Sequence, residues 1–271
     1  FGGIQKETLV LNEKTLWTGG PSENRPDYRG GNIENSSEYL VQVQEALKDK
    51  DSKRVDELIS GLTGEIDGYG AYQMLCGVNF KFRGITAKKA ENYERYLDLN
   101  HSVAGVAYEC DGTTYTREYF ANYPSNVIAM KFTASQEGKL SFSTFLSEMQ
   151  EEGQIEVHDD TLSYYGAITD NQLRYQGKFK FILKDGILEA GKDRMEVKGA
   201  TEAVILFTAA TDYENKYPSY RSGTDPKDIV ESVLSKAAQQ GYDNLKKEHE
   251  EDYLELFGRV NLELGEEYTD T

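Results

Sequence analysis

Carboxylates dominate the chemically capable side chains of this chain. Glu13, Glu65, Asp67, Asp98, Glu118 and Asp212 each invite assignment to an acid–base pair, in which one carboxyl donates a proton while its partner activates water. Such a pair works only when its two groups face each other at a set separation, and spacing along a chain does not specify that separation. Spacing alone therefore selects no pair among them. The three histidines, His101, His158 and His249, give a histidine-based triad little to work with. His249 falls on the apolar side of a predicted helix and reads as a packing residue. His158, inside Glu156-Val157-His158-Asp159-Asp160, reads as the end of a strand entering a solvated turn in preference to a metal ligand. Cys76 and Cys110 lie far apart with no histidine or cysteine at ligand spacing, so they read as buried free thiols. No metal site is expected. No phosphate-cradling glycine loop or nucleophile elbow is present either, and no cofactor is expected.

The residues best suited to touching something outside the chain are Trp17, Tyr72, Gln73 and Asn12. Indole offers a flat apolar face with one N–H donor, which suits both sugar stacking and domain interfaces. Trp17 is the only tryptophan, and its apolar neighbours Leu9, Leu11 and Leu16 favour a core position over an exposed one. Tyr72 and Gln73 carry the same two readings. Asn12 suits a local backbone turn better than a sugar contact. Leu9, Val10 and Leu11 suit a strand buried on both faces, broken by Asn12 and Glu13, with Leu16 and Trp17 burying a hydrophobic pair before Gly19-Gly20-Pro21 turns the chain.

Composition bounds the partners. A formal net charge of −17 over 271 residues argues against nucleic acid and against an anionic membrane surface. No stretch is long and apolar enough to cross a bilayer as a helix. An opening at Phe1-Gly2-Gly3, without methionine, reads as a trimmed start that hides any signal peptide and leaves localisation open; it predicts an incompletely paired or frayed sheet edge near Leu9.

Period-two patterning from Val78 onward predicts a large antiparallel β-sandwich. Strands are expected at residues 102–110 and 113–122 around the Asp111-Gly112 turn, at 126–133 and 139–146 as a second pair, and at 155–158, 161–168, 172–183, 187–190, 194–198 and 203–210. Two short helices form an insertion over residues 37–62, with Leu40, Val43 and Leu47 on one face of the first and Val55, Leu58, Ile59 and Leu62 lining the second. Ser37 and Asp51 or Ser52 are the candidate caps. Residues 22–36 and 63–72 read as loops, the latter a mobile one. Near the C-terminus, Asp225 and Pro226 open a helix carrying Ile229, Val230, Val233, Leu234 and Ala237, which Gly241 ends. A second helix aligns Leu245, His249, Tyr253 and Leu256, and Val260, Leu262 and Leu264 alternate as a last strand. The expected organisation is a sandwich over 1–224 and a helical linker with a final strand over 225–271.

Five ordered segments carry a resemblance: Leu11-Asn12-Glu13-Lys14-Thr15-Leu16-Trp17-Thr18-Gly19-Gly20-Pro21, Tyr72-Gln73-Met74-Leu75-Cys76, Tyr96-Leu97-Asp98-Leu99, Tyr115 to Ala121, and Glu248 to Tyr253 leading to Phe257-Gly258-Arg259-Val260-Asn261-Leu262. Together they resemble the N-terminal domain of family-95 glycoside hydrolases, bacterial α-L-fucosidases. Met74, Cys76 and Gly77 stand where that family has proline, glycine and aspartate, so no role is carried over from that acid. The resemblance implies a sandwich joined by helices to a catalytic helical barrel of the same polypeptide, absent from this chain, where the inverting acid and the water-activating groups lie. It also implies a fucosylated glycan as the substrate of the whole enzyme. The leading expectation is a non-catalytic domain that supports such an enzyme. The alternative is an autonomous carbohydrate-binding sandwich with an exposed aromatic row, and a complete small enzyme would need a deep cleft with facing carboxylates.

Overall fold

The structure, a computed structural model, describes residues 1–26, 28, 33–62, 68–262 and 265. Thirteen strands in two antiparallel sheets dominate it. The smaller sheet orders β1 (Lys6–Trp17), β2 (Tyr72–Phe82), β7 (Leu140–Glu148), β12 (Arg194–Ala200) and β11 (Ile187–Ala190) as β1-β2-β7-β12-β11. The larger contains β3 (Ala90–Asp98), β4 (Val103–Cys110), β5 (Thr113–Asn122), β6 (Val127–Ala134), β13 (Glu202–Thr211), β10 (Arg174–Lys184), β9 (Thr161–Ala167) and β8 (Gln154–His158), in that spatial order. Four helices complete the described fold: α1 (Ser36–Lys48), α2 (Ser52–Leu58), α3 (Pro226–Gln240) and α4 (Tyr242–Phe257).

The sheets close on one another because alternate residues are apolar. Leu140, Phe142 and Leu146 of β7 point inward with Thr144, as their spacing predicts. Phe80, Phe82, Phe132 and Phe142 meet at ring separations of 5.1–6.0 Å, joining β2 and β7 of one sheet to β6 of the other. Each such ring contributes about 1.5–3 kcal/mol by leaving water. The larger sheet is covered on its outer face too. Val204 and Leu206 of β13 and Phe120 of β5 pack against Leu234 and Ala237 of α3 and Tyr242 and Leu245 of α4. That second cover explains why β13 reads as a nearly continuous apolar run: Ala203, Ile205 and Phe207 serve the inter-sheet core while Val204 and Leu206 serve the helices.

Local signals act as expected in several places. Asp111 and Gly112 take φ of 49° and 73°, the left-handed pair that joins β4 to β5 in a two-residue hairpin. The Asp225 side chain accepts from the Lys227 N–H at 2.9 Å, and Asp51 caps α2 through the Arg54 N–H. His249 is buried, stacked on Phe120 at 4.9 Å with Nε2 3.0 Å from the Ser102 carbonyl. Cys76 and Cys110 are buried free thiols. His158 ends β8 in an exposed turn beside Asp159.

Other expectations are corrected. β1 does not break at Asn12 and Glu13 but runs on to Trp17, and it is an edge strand whose backbone ladder, among the described residues, is formed with β2 alone, with one face buried. Val10 is accordingly 56% exposed. β6 and β7 are no hairpin: the chain crosses between sheets at residues 135–139. β2 starts at Tyr72, earlier than the loop assignment allows, and β3 is an additional strand whose exposed side chains gave no alternation. In α1, Val43 and Ala46 are buried while Leu40 and Leu47 face solvent, and Asn35, not Ser37, occupies the cap position. On α4, Leu256 is exposed. Residues 260–262 form no strand; Leu264, Glu65 and Asp67 lie outside the described residues.

A buried ion pair ties the two sheets. Glu7 of β1 and Arg117 of β5 meet at 3.1 Å, exposed by only 1% and 2%. Glu7 also accepts from Tyr119 Oη at 3.0 Å and from the Gly2 N–H. The guanidinium lies over the Phe82 ring at 4.6 Å and donates to the Gly3 carbonyl at 2.6 Å.

Candidate functional site

The C-terminal half of β1 bulges away from its partner. Asn12 pairs with Met74 and Trp17 with Tyr72, so five steps along β1 span two along β2. The extra residues reorient the strand so that Leu16 enters the core and Trp17 turns outward, 45% exposed. The turn is closed locally: the Glu13 carboxylate accepts from the Thr15 N–H, and the Trp17 indole N–H donates to the Lys14 carbonyl at 3.0 Å. With its donor satisfied, the indole presents only an apolar face. Tyr72, the facing residue on β2, tilts against it at 45° with ring centroids 5.2 Å apart.

Beyond Trp17 the backbone is clamped from two sides. The Thr18 N–H donates to the Ala71 carbonyl at 3.0 Å and the Gly20 N–H to the Gly68 carbonyl at 2.7 Å. Gly19 and Gly70, with φ of 81° and 76°, approach so closely that a side chain at Gly70 would strike the Thr18 carbonyl. From the other side comes the β9–β10 connection. Asp170 accepts from the Gly19 N–H at 2.6 Å and from two nitrogens of Arg25 at 3.0 and 2.8 Å, and the guanidinium holds its carboxyl below the ordinary value. Asn171, buried, donates to the carbonyls of Trp17 and Gly19 at 3.0 and 2.7 Å and accepts from the Leu173 N–H. Arg221 donates to the Asn171 carbonyl at 2.7 Å and lies 3.6 Å from the buried Asp212.

These segments surround a cleft of about 400 Å³. Among the described residues its wall is aromatic, with Trp17, Tyr28, Tyr69, Tyr213 and Tyr220, and Lys14 and Arg221 also line it. Tyr28 and Tyr220 pack edge to face at 6.2 Å, and burial, reinforced by the neighbouring Tyr220 hydroxyl, raises the Tyr28 pKa.

Of the four candidate contact residues, the structure joins Trp17 with Tyr72 and places Trp17 on the cleft wall. The core position favoured for Trp17 is overturned by the bulge. Gln73 donates to the Ala71 carbonyl, and Asn12 sits exposed at the bulge; neither lines the cleft. Asp170, Asn171 and Arg25 were not singled out in the sequence. Their one signal is the polar turn Thr169-Asp170-Asn171-Gln172 between two strands. The described candidate carboxylates are held by their own donors: Glu13 by Thr15, Asp98 by His101 at 2.7 Å, Glu118 by Tyr242 and Lys246, Asp212 by Arg174 at 2.9 Å.

A two-layer antiparallel sandwich, helix-covered on one outer face, with its cleft at a bulged strand end, defines the class: a large β-sandwich domain. Residues 1–216 match the family described as glycosyl hydrolase family 65, N-terminal domain, and the chain belongs to that family. It is 26% identical over 98% of its length to Alpha-L-fucosidase 2 of Arabidopsis thaliana, covering 34% of that protein. Two proteins named "Probable alpha-fucosidase A" are each 28% identical over 97% of the chain: that of Aspergillus oryzae, of which 37% is covered, and that of Aspergillus niger, of which 34% is covered. The chain thus spans about a third of the length of these curated relatives, and the resemblance drawn from the five motifs is borne out.

Proposed function

We infer that this chain is the non-catalytic N-terminal sandwich of an enzyme that cleaves α-L-fucosyl linkages in glycans with inversion. The observation that carries this reading is the alignment of nearly the whole chain with one third of proteins named α-fucosidases. The engagement of Glu13, Asp98, Glu118 and Asp212 by neighbouring donors agrees with it; an inverting pair would need two carboxyl groups about 6.5–9.5 Å apart across a bound sugar. In this reading residues 1–224 are the sandwich, 225–271 lead into a helical catalytic barrel, and that barrel is the sandwich's partner. Trp17 and Tyr72 belong to an outward contact surface, and Asn12 and Gln73 shape the ladder beneath it.

The test compares this chain with a polypeptide extended to the length of the relatives, each incubated with 2′-fucosyllactose and an aryl α-L-fucoside. The extended protein releases β-L-fucose first, read by the anomeric proton signal, and the 271-residue chain releases none. General acid and base assistance is worth on the order of 10²–10⁴-fold per group, so its absence is easily seen. Steady release by the 271-residue chain that disappears in Glu13→Gln would overturn the reading.

A further inference from the structure

We propose that the cleft beside Trp17 is a binding subsite for a neutral pyranose ring of a glycan. This commits the contact surface to one occupant, and it stands whatever reaction the rest of the polypeptide performs. The first reason is the platform. A pyranose has one face of C–H groups that stacks on a flat aromatic ring, and Trp17 offers such a face with its N–H already donated to Lys14 and its ring braced by Tyr72. A strand that bulges to leave its only tryptophan half in water sets aside the burial that the same side chain would gain in the core.

The second reason is the chemistry of the walls. A sugar needs neutral groups that both donate and accept, and the hydroxyls of Tyr28, Tyr69, Tyr213 and Tyr220 are of that type. The charges are largely compensated. Arg221 donates to the carbonyls of Tyr220 and Asn171 and faces Asp212, and Asp170 is neutralised by Arg25. Among the described residues Lys14 is the remaining cation of the wall, in a protein of formal net charge −17, which does not favour an anionic ligand. Its volume, about 400 Å³, is at the small end of ligand clefts and suits a mono- or disaccharide unit.

The third reason is preorganisation. The Trp17 and Gly19 carbonyls are held by Asn171, the Gly19 amide by Asp170, and the Thr18 and Gly20 amides by the 68–71 segment, so the platform is fixed before any ligand arrives.

Because Trp17 is the only tryptophan, its emission reports on this cleft alone. Methyl α-L-fucopyranoside, methyl β-D-galactopyranoside and galactose 6-phosphate are titrated into the 271-residue chain, with saturation-transfer NMR of each sugar as a second readout. The expected result is a saturable change in emission with at least one neutral glycoside, with a dissociation constant on the order of 1 mM. Trp17→Ala weakens binding by roughly tenfold, Trp17→Phe retains most of it, and Tyr213→Phe weakens it about threefold, all read by NMR on variants whose circular dichroism is unchanged. Absence of saturable binding at roughly ten times that concentration overturns the proposal, as does tighter binding of the phosphorylated sugar. A third overturning result is a Trp17 that takes no sugar here and is shielded from iodide quenching in the extended polypeptide, which would assign the cleft to domain docking. Loss of fucose release in the extended protein would test the enzyme reading and leave this one standing.

Discussion

Replacing Arg117 by methionine should destabilise the sandwich more than almost any surface change. The substitution preserves length and apolar contact with Phe82 and Tyr108 but removes the cation that faces Glu7. Glu7 keeps the Tyr119 hydroxyl and the Gly2 amide as donors and the half-exposed Phe1 ammonium at 3.8 Å, yet it remains a carboxylate 1% exposed that has lost its closest and only buried counter-charge. Breaking one partner of a buried pair typically costs about 3–5 kcal/mol, a large share of the roughly 5–15 kcal/mol that holds a domain folded. At about 2–4 °C per kcal/mol for a protein of this size, Tm should fall by roughly 6–20 °C. Urea unfolding followed by Trp17 emission and by circular dichroism measures the loss directly. The double variant Glu7→Leu with Arg117→Met removes both charges together, and it should recover most of the stability because the pair's desolvation cost disappears with it. Arg117→Met costing less than about 1 kcal/mol, or a double variant no more stable than the single, would refute the reasoning.

Three further outcomes are expected. Gly70→Ala places a methyl group 1.9 Å from the Thr18 carbonyl at a φ of 76°, so the 18–71 contact should open at a cost of about 1–3 kcal/mol, seen as a lower Tm and a red-shifted Trp17 emission. Asp170, depressed by Arg25, lends stability that is complete above its ordinary value of about 4 and is lost as pH falls through its lower folded value, so acid titration of Trp17 emission should show a step below about pH 4 that Asp170→Asn removes. Burial pushes the Cys76 thiol up to about 12, and Cys110 is buried as well, so neither should react with a disulfide reagent at neutral pH until the protein is unfolded in denaturant.

The sandwich is legible in the sequence because most strands have one face on a common core, which imposes period two. β5 and β11 have the expected limits, and the Asp111-Gly112 turn marks its hairpin. What spacing does not carry is which strands pair. β6 and β7 follow one another across a short polar link just as hairpin strands do, and only the closure of two sheets makes that link a crossing. β3 escapes notice for a different reason: at a sheet edge with both faces wet it needs no apolar alternation, and backbone pairing with β4 alone defines it.

The site was half legible, and the missing half has a physical cause. Apolar neighbours in sequence favour burial for Trp17 only if the strand keeps its alternation, and the bulge after Asn12 breaks that alternation. Its direction is then decided by residues 151 to 154 positions away, Asp170 and Asn171, acting on backbone amides and carbonyls whose identity a sequence does not display. Arg25, Asp170, Asn171 and two glycines in left-handed conformation converge on a few residues that contribute one side chain, Leu16, to the core. Stability alone does not call for such an arrangement: an unbroken alternation along β1 would keep Trp17 on the inward face with Leu11. A clamp that holds an aromatic face toward solvent, against the burial that face would gain, is explained by what the face touches. The cleft beside Trp17 is therefore where contact with a partner or ligand should first be sought.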